Sequence, residues 1–251
     1  MAKKVLVAMS GGVDSSVAAA LLIEQGFDVT GVTMKLFSNE DIGLDRSRTC
    51  CSLSDVEDAR SVAYKLGFSH HVFNFGEQFR EQVIDRFASA YARGDTPNPC
   101  IDCNRYIKFN ELLDRALVLD MDYISTGHYA RVEYDNNTGR YLLKKATDST
   151  KDQSYVLFGL TQEQLKRTLL PLGSLNKSEV RRLAEEQGLV NARKPDSQDI
   201  CFVKDGDYAA FLENTMNIIS PPGNFTDSAG KILGTHKGLI HYTIGQRKGL
   251  G

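Results

Sequence analysis

No apolar stretch in the chain approaches the ~20 residues that a membrane-crossing helix needs, so the sequence reading excludes a helical membrane span. Net charge is nearly absent too. Thirty lysines and arginines stand against 32 aspartates and glutamates, leaving −2. No global basic field therefore points to nucleic acid, and a polyanionic partner would need a local basic surface. Internal repeats and low-complexity tracts are also missing from the 251 residues, whose length suits one large domain or two smaller ones. Met1-Ala2-Lys3-Lys4 runs straight into a strand pattern rather than a signal-peptide core, so a cytoplasmic protein with no membrane partner is expected. Cysteine is sparse, at Cys50, Cys51, Cys100, Cys103 and Cys201. In a reducing compartment these argue against structural disulfides and for reactive or metal-binding roles.

What is present is an ordinary globular composition, 41% hydrophobic and 25% charged, with one unusual loop. Ser10-Gly11-Gly12-Val13-Asp14-Ser15-Ser16 lies directly behind the apolar run Val5–Met9 and before Val17–Leu22. Strand, glycine turn and helix together make an anion cradle: glycines let backbone N–H groups approach an oxyanion, and the helix N-terminus adds partial positive charge. The loop has no lysine and the wrong glycine spacing for a Walker A motif. It resembles instead the SGGxDS loop of the PP-loop ATP pyrophosphatases, which activate a substrate oxygen by adenylation and release pyrophosphate. Asp14 is a candidate Mg2+ contact at the phosphates or simply a carboxylate at a helix N-terminus.

Strand and helix patterns then alternate. Asp28–Thr33 reads as a strand, and Ser54-Asp55-Val56-Glu57 as a capping box for a helix with Val56, Ala59, Ala63 and Leu66 on one face. His71–Phe75 is a strand, and Phe79, Val83, Phe87 and Ala90 mark a helix. A break spans Arg93 to Pro99; a helix carrying Leu112, Leu113, Ala116 and Leu117 follows, then a strand at Tyr123–Ser125. This alternation predicts an α/β fold with a parallel sheet and helices on both faces. Ligands then sit at the carboxyl ends of the strands, where the Ser10 loop and Thr126-Gly127-His128-Tyr129 both fall. Beyond residue 130 the pattern changes. Asp135–Gly139 signals a hairpin, Asn176 to Glu179 an N-cap, Gly188 a helix stop, and the residues from Ser220 onward a β-rich module. The expected organisation is a catalytic unit over residues 1–205, with a helical and hairpin elaboration at about 130–205, and a small mixed unit over residues 206–251.

Thr96–Asn104 reads as a proline-stiffened loop carrying the C-x-x-C of Cys100 and Cys103, which alone is ambiguous among zinc, redox and iron–sulfur roles. Cys201 lies in Asp196–Phe202, and the adjacent Cys50 and Cys51 read as incidental thiols. Taken with Ala8–Ser15, Lys108-Phe109, Thr126–Tyr129, Lys151–Tyr155 and Gly245–Arg247, these segments occur in the order found in bacterial tRNA-specific 2-thiouridylases, a family the chain resembles from Val5 to Gly251.

The resemblance implies an adenine nucleotide alpha hydrolase-like domain that thiolates the wobble uridine of tRNA. It assigns ATP to Ala8, Met9, Ser10, Gly11, Gly12, Val13, Asp14 and Ser15, with Met34 and Gly127 near adenine and ribose. Cys103 matches the nucleophile and Cys201 the cysteine that carries sulfur as a persulfide. Asn98, Pro99 and Cys100 match the stretch beside the target base, and Lys151, Asp152 and Gln153 a tRNA-contacting segment. The implied partners are tRNAs with glutamate-, glutamine- and lysine-type anticodons and a sulfur donor such as a cysteine desulfurase or relay carrier; ATP and Mg2+ are the implied cofactors. A disulfide between Cys103 and Cys201 is the expected product of turnover, reset by reductant. Cys100 stands where many members have an acid–base aspartate. Cys100, Cys103 and Cys201 could therefore hold a 4Fe–4S cluster with one iron open to hydrosulfide, as an alternative sulfur route. Members usually continue into a further β-barrel, which this chain is expected to lack, leaving residues 206–251 incomplete.

Arg105, Lys108, Lys144, Lys145, Lys151, Lys166, Arg167, Lys177, Arg181, Arg182, Arg193 and Lys194 are candidate phosphate contacts. The competing enzyme reading is a PP-loop ligase that adenylates a small metabolite and needs no cysteine.

Overall fold

The computed structural model describes residues 2–38, 53–196, 199–203 and 206–250. In chain order the elements are β1 (Lys4–Ala8), α1 (Val13–Glu24), β2 (Asp28–Lys35), α2 (Leu53–Leu66), β3 (Ser69–Asn74) and α3 (Gly76–Phe79). A π-helical turn over Arg80–Ile84 joins α3 to α4 (Asp85–Ala92). Next come α5 (Pro99–Asp102), a second π-helical stretch over Cys103–Glu111, and α6 (Leu112–Val118). Then follow β4 (Tyr123–Ser125), β5 (Ala130–Asp135), β6 (Arg140–Lys145), α7 (Gln162–Lys166), β7 (Thr168–Leu169), α8 (Lys177–Glu186), α9 (Tyr208–Asn214), β8 (Gly223–Thr226) and β9 (Ile232–His236).

Five strands form one parallel sheet in the order β3-β2-β1-β4-β7, with β1 at its centre. A central parallel strand is covered on both faces, which is why β1 is an unbroken apolar run rather than an alternating one. Val5, Leu6 and Val7 are all fully buried. Their period of two divides the core. Val5, Val7 and Met9 pack with α1, α2 and α8, whereas Leu6 and Ala8 pack with α4, α6 and the aromatic side chains around Phe79 and Phe87. The edge strand β3 carries the polar Ser69, His71 and Asn74, as an unpaired edge favours.

The expected hairpin is present: β5 pairs antiparallel with β6, from Ala130 opposite Lys145 to Asp135 opposite Arg140. The helix after Asn176 begins with a capping box, in which the Asn176 N–H donates to Glu179 Oε2 at 2.7 Å, and it ends at Gly188 with φ of 58°. The module after Ser220 is the β8–β9 hairpin. Ile240, beyond this hairpin, is buried in the same core as Phe211 and Leu212 of α9 and Phe87 and Phe202.

One expectation needs correction. Cys100 and Cys103 are not on a loop. Asn98 Oδ1 accepts the Cys100 N–H at 3.0 Å, Pro99 occupies the first helical position, and the chain stays helical from Pro99 to Val118. Asn at the N-cap followed by Pro is a helix-start signature, because proline's missing N–H costs nothing there. Cys50 and Cys51 lie outside the described residues, as do Ser197 and Gln198 of the Cys201 segment. No described helix is long and apolar enough to cross a membrane.

Candidate active site

The loop between β1 and α1 is built by glycine. Gly11 has φ of 75°, a conformation that side chains with a Cβ adopt at a cost, and Gly12 is the extended N-cap of α1. A Cβ on Gly11 would lie 2.4 Å from the Asp55 carbonyl oxygen, so the loop touches the start of α2 and has no room for one. The Ser15 hydroxyl holds the turn, donating to the Gly12 carbonyl at 3.1 Å and accepting the Ser10 N–H at 3.3 Å. Asn191 closes it from α8's far side, with Nδ2 donating to the Gly11 carbonyl and to Ser16 Oγ, each at 2.9 Å.

Gly127 completes the rim. It follows β4, the neighbour of β1, and a Cβ there would lie 2.8 Å from Ser15 N. Both glycine turns lie at the carboxyl edge of the sheet beside the N-terminus of α1, a placement that suits a polyphosphate. Met9, Val13 and Ser15 beside these turns are buried, and Met34, near the end of β2, is half-buried. His128 is buried as well. Its Nδ1 lies 2.7 Å from Thr126 Oγ1, and burial, helped by Lys108, holds the imidazole well below its usual pKa, so it is a neutral wall of the site.

The cation missing from the loop comes from elsewhere. Lys177, first residue of α8 and only 12% exposed, places its ammonium 2.6 and 2.8 Å from the two Asp14 oxygens and 2.8 Å from Asp196 Oδ1. Its amine also lies 5.7 Å from the centre of the Tyr129 ring, whose hydroxyl donates to Asp14 Oδ1 at 2.8 Å. Asp196 further binds Lys151 and Arg181, each at 2.9 Å. Burial alone would raise the Asp196 pKa, but the Lys177 and Lys151 contacts outweigh it and hold the carboxyl at about 2. Residues 14, 129, 151, 177, 181 and 196 thus meet at one corner of the loop.

Sequence reasoning placed Lys177 only among candidate RNA contacts; the absence of a lysine from the glycine loop was the one hint. Lys194 is likewise engaged, with Asp55 at 2.5 Å and Asp58 at 2.6 Å. Of the segment matched to tRNA contacts, Asp152 Oδ1 accepts the Ala146 N–H at 2.8 Å and Gln153 Oε1 accepts the Tyr129 N–H at 3.0 Å, so both also fix the local fold.

The cysteines differ sharply. Cys100 and Cys201 are exposed and Cys103 is buried, and none of the three is in a disulfide. Burial pushes the Cys103 thiol pKa up, and the nearby Lys108 offsets this in part. Cys103 begins the π-helical stretch, a wider winding that recurs at functional sites. Phe202, beside Cys201, is sunk into a ring of aromatics 5.3 to 5.8 Å away at Phe79, Phe87 and Phe211. Among the described residues no group of three or more His, Cys, Asp or Glu side chains is placed to hold a metal ion, so Cys100, Cys103 and Cys201 do not form a cluster ligand set in this structure.

Residues 3–205 match the family model described as the tRNA methyl transferase HUP domain, and residues 209–251 the tRNA methyl transferase PRC-barrel domain. The curated relatives carry a different reaction in their names. The tRNA-specific 2-thiouridylase MnmA 1 of Thermoanaerobacter sp. (strain X514) is 58% identical over 249 residues, covering 99% of this chain and 68% of that protein. The tRNA-specific 2-thiouridylase MnmA of Clostridioides difficile (strain 630) is 55% identical over 251 residues, covering 100% of this chain and 69% of its own length. Among solved structures, a 4-thiouridine synthetase in complex with RNA and ATP aligns with a TM-score of 0.53 and 19% identity over 86% of this chain and 50% of that one, a likeness of fold. With both segments matched in order and identity this high across its whole length, the chain belongs to the tRNA-specific 2-thiouridylase (MnmA) family.

Proposed function

We propose that the chain thiolates the wobble uridine of tRNA at C2, consuming ATP and drawing sulfur from a persulfide on Cys201. The observation that carries the ATP half is the pair of glycine turns at Gly11 and Gly127 beside the N-terminus of α1, each packed so closely on neighbouring backbone that a Cβ would clash. Their neighbour Lys177 is held by two carboxylates that an incoming polyphosphate would displace. Residues 8–15 would hold ATP, with Met34 and Gly127 beside the nucleoside, and Asp14, once released by Lys177, could meet Mg2+ at the phosphates.

The chemistry follows from the substrate. A uridine C2 carbonyl is a poor electrophile. Attack of its O2 on the α-phosphorus expels pyrophosphate and turns the oxygen into an AMP leaving group. The terminal sulfur of the Cys201 persulfide then bonds to C2, and the C2–O2 bond breaks with AMP departing. The Cys103 thiolate attacks the Cys201 sulfur, the S–S bond breaks toward the substrate, and the thiocarbonyl forms. A Cys103–Cys201 disulfide remains, and a two-electron reductant resets it. Asn98, Pro99 and Cys100 would face the base, and Lys151, Asp152 and Gln153 the tRNA backbone.

A cysteine desulfurase or relay carrier is the donor class that this route requires. No step is routed through an iron–sulfur cluster, because among the described residues no three His, Cys, Asp or Glu side chains are grouped to hold a metal ion. Identities of 55–58% to thiouridylases do not favour the small-metabolite ligase. The test is Cys201→Ser under supply of a protein persulfide. Loss of 2-thiouridine with pyrophosphate release retained supports the route, and full thiolation by the variant removes it.

A further inference from the structure

Beside the cysteine helix lies a surface that the proposed chemistry does not use, although Arg105 on it is a candidate phosphate contact. A small surface dimple, with room for about 20 Å3, is lined by Ile101 and Arg105 on one side and by residues 156–160 on the other. Its two walls are tied together, since Asn104 Nδ2 donates to the Val156 carbonyl at 3.3 Å. The second wall is rigid for a simple reason. Val156 and Leu157 are buried in the core, so Tyr155 and Phe158, on either side of them, are forced outward, 60% and 70% exposed. Single exposed aromatics are ordinary, but here two flank an anchored turn next to an exposed arginine. The Arg105 guanidinium lies 5.2 Å from the Tyr106 ring and, among the described residues, has no carboxylate partner.

We infer that Phe158 and Arg105 form a stacking site for one unpaired base of the RNA loop that carries the target uridine, the aromatic face taking the base and the guanidinium its stack or phosphate. This rests on the thiolation reading, and two placements support it. The dimple shares its helical stretch with Cys100 and Cys103, and its other wall continues from Lys151–Gln153. Unpaired loop bases are recognised by splaying onto aromatic rings and arginine planes, and the contact tolerates any base because every base has a π-face.

The probe is an unmodified glutamate-type anticodon stem-loop carrying 2-aminopurine beside the target uridine, titrated without ATP. Wild-type protein quenches the fluorescence on binding. Phe158→Leu keeps the apolar bulk but loses the ring; it is expected to weaken binding between about 5-fold and about 100-fold and to lose the quench, with Phe158→Tyr restoring both. Arg105→Gln should weaken binding without abolishing the quench. Unchanged affinity and quench in Phe158→Leu overturn the proposal. So does intact RNA binding combined with slow thiolation only when sulfur comes from a donor protein, which would mark the surface as a protein dock. Failure of the wild-type protein itself to bind the stem-loop would instead sink the thiolation reading on which this one stands.

Discussion

Replacing Lys177 with Met separates the structural role of the buried lysine from its role toward ATP. Removing one partner of a buried ion pair costs about 3–5 kcal/mol when the other is left alone. Neither carboxylate is left alone here. Asp196 keeps Lys151 and Arg181, Asp14 keeps the Tyr129 hydroxyl, and their side chains are 21% and 30% exposed. Screening and the remaining partners reduce the expected loss to about 1–2 kcal/mol, read by urea titration at neutral pH. The pH dependence carries a sign. The Asp196 pKa is lowered to about 2 in the fold, so the stability it confers is complete above the unfolded carboxylate value of about 4 and disappears as pH falls toward about 2. The gap between wild type and Lys177→Met should therefore narrow on acidification over that window. Toward ATP, loss of a preorganised cation at the phosphates should slow pyrophosphate release on the order of 100-fold. A variant that loses stability but releases pyrophosphate at the wild-type rate would show Lys177 to be structural and refute the assignment. One that loses no stability would refute the network.

Gly127→Ala places a methyl carbon within 2.8 Å of Ser15 N, so the start of α1 must shift; ATP affinity measured by calorimetry should fall at least 10-fold, and unchanged affinity would remove Gly127 from the site. Because burial raises the Cys103 pKa, its thiolate stays scarce at neutral pH and grows only as the pH rises beyond the usual thiol range. Alkylation at Cys103 should lag behind Cys100 and accelerate with pH, as mass spectrometry of labelled peptides would show. Lys108 lowers that pKa, so Lys108→Gln should slow the Cys103 reaction further at fixed pH; equal rates in both proteins would contradict it.

The central sheet was legible because β1 is apolar on both faces and the loop glycines announce their own turn. The helix at Asn176 was legible because its capping box is local. The segment holding Cys100 and Cys103 was misread because Pro97 and Pro99 suggested a stiff loop, while the Asn98–Pro99 helix start was passed over. The identity of the site's buried lysine was not legible, although the glycine loop's missing lysine hinted at one. Lys177 meets Asp14 across 163 positions, and only the packing of α8 against α1 brings them together. The burial of Cys103 is of the same kind, since a C-x-x-C pattern does not say which thiol faces inward. Its position at the head of a π-helical stretch depends on hydrogen-bond register that no local pattern fixes.

The most direct test is nucleoside mass spectrometry on an unmodified glutamate-type tRNA incubated with this protein, ATP, Mg2+ and a persulfide donor. The account predicts a 2-thiouridine peak at the wobble position that disappears without ATP and with Cys201→Ser. A peak that forms without ATP, or survives loss of Cys201, would contradict it.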